Sequence, residues 1–87
     1  LLGVLLGAAY ALSGRWDAWR QVAQHELTAA RALGDRPAEA MALHQLGTRA
    51  LCVGDTSTAR ELLQAALRLR TAIGASAAAA VTQHNLS

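Results

Sequence analysis

Apolar and polar residues along this chain alternate in blocks that glycines punctuate. Ala59, Leu62, Leu63, Ala66, Leu67 and Ile73 recur at intervals that suit one helical face, while Arg60, Glu61, Gln64, Arg68 and Thr71 occupy the other side. That spacing predicts an amphipathic helix with 3.6 residues per turn, ending at Gly74 as a left-handed C-terminal residue. Before it, Asp35-Arg36-Pro37 opens a helix that runs to about Val53, with Asp35 as its N-cap and Pro37 tolerated in the first turn. Gly54-Asp55 breaks that helix, Asp55 or Thr56 caps the next, and Thr58-Ala-Arg-Glu61 offers a capping box. A helix over residues 1–12, a Ser13-Gly14 turn and a helix from about Trp16 to Leu33 form the earlier half, and Ser76 starts a fifth helix.

The punctuation repeats. At an offset of 40 residues Gly7 aligns with Gly47, Gly14 with Gly54 and Gly34 with Gly74, together with Arg20 and Arg60, Gln24 and Gln64, Leu27 and Leu67, and His44 and His84. A period between 20 and 50 residues is the signature of a solenoid or array. The predicted fold is all-α: antiparallel helix pairs stacked as an α-solenoid of about two and a half repeats. They divide as residues 1–40, 41–80 and 81–87 within one domain.

Composition agrees and narrows the function. With 87 residues, 53% of them hydrophobic and 16% charged, the chain suffices for one small domain with an apolar core. It has no Phe, and Tyr10, Trp16 and Trp19 are its only aromatics, so Leu, Val and Ala must build the core. That much Ala favours close-packed helices over a sheet. Every basic residue is Arg, and the eight are scattered among six acids for a net charge of +2. A nucleic-acid binder would concentrate more positive charge on one face, so no nucleic-acid partner is expected of this segment. Cys52 stands alone and forms no internal disulfide, which makes a reduced, cytoplasmic setting the default. The apolar run from Leu1 to Leu12 lacks a preceding basic residue and stops short of the roughly 20 residues that a membrane span needs. It reads as a buried helix of a longer protein, a reading that the missing initial Met supports.

Leu43, Leu46-Gly47, Ala50, Gly54-Asp55, Ala59, Leu63 and Ala66 give the second unit the appearance of a tetratricopeptide repeat, and Leu6-Gly7-Ala8-Ala9-Tyr10 supplies the Leu-Gly-x-x-Tyr signature in the first. The chain resembles that family over essentially its whole length. Its 40-residue period, longer than the family's common 34, resembles the lengthened repeats of kinesin light chains and of bacterial signal-transduction ATPase tails. Two positions depart from the pattern: Trp19 stands where Ala59 stands in the next unit, and Glu26 where Ala66 stands. A Trp there must widen or rotate its helix pair, or the first unit's register differs by one.

The resemblance implies a concave surface lined by the first helix of each pair. Carried over, its positions are Met41, His44, Thr48 and Cys52 in the second unit, with Val81, His84 and Asn85 in the third. Such a surface suits an amphipathic helix or extended peptide hydrogen-bonded by His44, Thr48 and Asn85. The plainer reading is that these residues face water or further repeats of the parent chain. No Lys is present for the family's carboxylate clamp, and His44 stands in its basic position. His44 and His84 are expected about 10 Å apart on neighbouring helices, and two imidazoles do not make a metal site. No nucleophile, base and oxyanion donor converge around Cys52. Trp16 and Trp19, three residues apart, suit an interface anchor or packing against a neighbouring helix. The expectation is a protein-interaction scaffold with no cofactor, metal or chemistry of its own, in a larger bacterial regulatory protein. The alternative is a structural segment that self-associates through its apolar ends.

Overall fold

Three turns of one kind set the architecture. In the computed structural model, which describes residues 16–86, four helices follow one another: α1 (Trp16–Leu33), α2 (Arg36–Cys52), α3 (Thr56–Ala72) and α4 (Ser76–Leu86). Each of the first three ends in a glycine of positive φ: Gly34 at 68°, Gly54 at 83° and Gly74 at 74°. At the middle turn the Gly54 amide donates to the Leu51 carbonyl at 3.1 Å and the Asp55 amide to the Ala50 carbonyl at 2.8 Å. This paired pattern satisfies two carbonyls at the helix end, and its left-handed residue disfavours any side chain. The same two bonds recur at Gly34 and Gly74.

Helix starts are equally uniform where an Asp is present. The Asp35 carboxylate accepts from the Ala38 amide and the Asp55 carboxylate from the Thr58 amide, each at 3.2 Å. Asp55 is thus the N-cap of α3. The expected capping box is not formed, because Thr58 lies inside the first turn and its amide is the one being capped. Pro37 sits in the first turn of α2, as expected.

Packing proceeds by sequence neighbours: α1 on α2, α2 on α3, α3 on α4. Ala23 and Leu27 of α1, Ala42, Leu43 and Leu46 of α2 and Ala66 of α3 form one buried cluster, with Leu62, Ala65 and Leu69 at its margin. Small residues let the helices approach. A Cβ on Gly47 would lie 2.7 Å from Leu63 Cγ and 3.2 Å from the Leu63 backbone nitrogen, so the crossing of α2 over α3 depends on that glycine. Arg49 also ties α2 to α1, donating from Nε to the Trp16 carbonyl at 2.7 Å and lying 3.8 Å from the Asp17 carboxylate.

The offset of 40 holds for most of the buried face. Trp19 is as buried as Ala59, Ala23 as Leu63, and Ala30 as Arg70. Position 26 departs: Glu26 is exposed while Ala66 is buried, and in α1 Leu27 takes the inner place. Trp19 stacks on Trp16 with ring centroids 6.1 Å apart, and its indole nitrogen has no hydrogen-bond partner among the described residues. The helix expected over residues 1–12, and with it Tyr10 and the helix pair that Trp19 was expected to widen, lies outside the described residues.

Candidate protein-binding face

The seven residues expected to line the concave surface belong to α2 and α4, and none is buried. Met41, Cys52, Val81 and His84 are exposed, while His44, Thr48 and Asn85 are half-buried. Met41, His44, Thr48 and Cys52 follow one another at steps of three and four and so occupy one side of α2. Cys52 is a free thiol at the end of that row.

The polar members of the set make hydrogen bonds within the chain. The Thr48 hydroxyl donates to the His44 carbonyl at 3.0 Å. His44 Nε2 lies 3.3 Å from the side-chain amide of Asn85, and Nδ1 lies 3.1 Å from the Thr82 hydroxyl. The link between α2 and α4 at this point is therefore a chain of hydrogen bonds. Leu51, Arg60, Leu63, Asn85 and Leu86 line a small cavity of about 130 Å³ beside it.

Arg70 of α3, absent from the expected set, is the centre of this network. Only 5% exposed, it donates from Nη1 to the Thr82 hydroxyl at 2.7 Å and to the Ala78 carbonyl at 3.1 Å, and lies 3.4 Å from His44 Nδ1. Its Nη2 faces the Met41 sulfur at 3.7 Å. No carboxylate pairs with it among the described residues, so neutral acceptors alone compensate the buried cation. Burial and the neighbouring Arg70 charge both push the His44 pKa below its ordinary value, burial more strongly, and burial lowers that of Arg70 as well.

A signal for Arg70 and Thr82 is present in the sequence: at the 40-residue offset they replace Ala30 and Ala42, both buried alanines of the preceding repeat. Two small apolar contacts in one repeat interface have become a hydrogen-bonded pair in the next. His84, the counterpart of His44, is exposed and makes no corresponding contact among the described residues. Among the described residues no group of three or more His, Cys, Asp or Glu side chains converges to hold a metal. No described helix is long and apolar enough to cross a membrane.

A comparison with protein-family profiles matches residues 1–72 to the Tetratricopeptide repeat. No curated protein and no solved structure matches the chain. The matched segment covers most of the 87 residues, and its described part is made of antiparallel helices joined by one recurring turn. The chain belongs to the tetratricopeptide-repeat family, whose repeats mediate contacts between proteins.

Proposed function

We propose that this segment is a docking scaffold that holds a peptide or a partner protein against the side formed by α2 and α4. The observation that carries this reading is the exposed row of Met41, Cys52, Val81 and His84, which leaves apolar and imidazole groups facing outward from adjacent units. Met41 supplies a flexible, polarisable contact and Val81 a rigid one, a combination that suits an amphipathic partner helix. His44, Thr48 and Asn85 shape the floor between them. Their hydrogen bonds within the chain fix the spacing of α2 and α4, and so pre-organise the surface before a partner arrives. The segment supplies binding and no chemistry, and we infer a larger cytoplasmic regulatory protein as its setting, where an exposed thiol such as Cys52 stays reduced.

Affinity capture from the native lysate tests this, comparing the wild type with a folded Thr48→Arg, His84→Glu double variant. The expected result is a partner retained by the wild type and lost by the variant. Recovery of the parent chain alone, equally with both proteins, would favour self-association through exposed residues such as Leu51 and Val81 and would overturn the docking role.

A further inference from the structure

A second depression, of about 500 Å³, lies where the end of α1 meets α2 and α3. Its lining combines the apolar Ala65, Leu69 and Ala72, with the core residue Leu43 behind them, and Arg31, Arg36 and Arg68 against the single acid Glu39. Arg31 Nε donates to Glu39 at 3.2 Å, whereas Arg36 and Arg68 form no ion pair among the described residues. Three arginines against one glutamate leave this rim an excess of two positive charges, equal to the formal +2 of the whole chain.

At 100° per residue, Arg36, Glu39 and Leu43 fall on the side of α2 opposite Met41, His44 and Thr48. The depression is therefore a different surface from the α2–α4 face, and it stands or falls independently of the function proposed for that face.

We infer that this groove is a second docking site, taking a short peptide segment in which acidic side chains flank an aliphatic one. Carboxylates meet the forked donors of Arg36 and Arg68, a geometry in which guanidinium binds two oxygens at once, and the aliphatic side chain covers Leu69 and the neighbouring Ala65 and Ala72. The apolar floor favours a peptide over a nucleic acid, because no aromatic side chain lines the groove to stack on a base.

The test uses three labelled probes and fluorescence anisotropy: a ten-residue peptide of alternating Glu and Leu pairs, a ten-residue oligoglutamate, and a ten-nucleotide thymidine oligomer. The mixed peptide is expected to bind most tightly, and to weaken by about tenfold or more in the Arg36→Glu, Arg68→Glu variant while binding the Thr48→Arg variant unchanged. Raising the salt from about 0.05 to 0.5 M weakens it further as the charges are screened. Should the double reversal disturb folding, amide chemical shifts of the wild-type chain decide the matter, with changes expected at Leu43 and Leu69 and none at Thr48 or Val81. Undiminished binding by the folded double variant overturns the assignment. So do shifts centred on Thr48 and Val81, no binding of the mixed peptide up to about millimolar concentration, or equally tight binding of either polyanion.

Discussion

Gly47 shows how much one hydrogen atom can decide. A methyl group there meets Leu63 at its branch point and its backbone, neither of which can swing aside as a flexible chain end does. Gly47→Ala gains about 1 kcal/mol in helix propensity and loses about 1–3 kcal/mol to overpacking, so a net destabilisation of about 1 kcal/mol is expected in denaturant unfolding. Asp35→Ala removes the cap on α2 and is expected to lower stability by about 1 kcal/mol, with the loss of protection concentrated in the first turn. Both residues were legible in the sequence, Gly47 from the Leu-Gly pair and Asp35 from the Asp-x-Pro start, because local backbone demands restrict the residue type. For Arg70 the position was legible, at helical steps from Ala59, Leu63 and Ala66 and opposite Ala30 in the offset, but its role was not. Its long side chain reaches a polar site made by two other helices, and no periodicity along α3 specifies which acceptors a guanidinium will meet there.

At the scale of elements, the burial of His44, with Arg70 beside it, is expected to make the docking of α4 depend on pH. His44 faces Arg70 from α3 and the neutral Thr82 and Asn85 from α4, while Glu39 on its own helix is engaged with Arg31. Protonating His44 sets a second cation 3.4 Å from a buried guanidinium with no carboxylate between them. Docked, His44 holds its proton less readily than the free imidazole near 6.5, so the released state binds more protons below that value. The contribution of His44 to docking is therefore fully present above the free value of about 6.5, fades as the pH falls through the depressed docked value, and amounts to about tenfold for each unit of that depression. Hydrogen exchange at residues 78–86, corrected for intrinsic rates, is expected to show this slope in the wild type and none in His44→Gln. A flat wild-type profile would refute the mechanism. The helix boundaries themselves were readable to within a residue or two, because glycine and Asp mark both ends. The inward hydrogen bonds of His44 and Asn85 were not, since the offset that pairs His44 with His84 says nothing of what lies across from either.

As a whole, the described part of the molecule is a row in which each helix packs on its predecessor and its successor. Stability in such a row is a sum of local terms and neighbour contacts, so damage stays near its source. Replacing the buried Thr82 by Lys, which sets a second cation against Arg70, is expected to strip exchange protection from α4 while α1 and the first half of α2 keep theirs; loss of protection across all four helices would show a single cooperative unit instead. The recurring turn has a genetic consequence as well. Gly34 and Gly74 close their helices with the same pair of backbone bonds, 40 residues apart in the chain. A block cut at those two glycines ends as it begins, so unequal crossover within such a gene can add or delete a unit without creating a foreign junction. The Arg70–Thr82 pair, which the Ala30 and Ala42 positions lack, tells one such unit from the other.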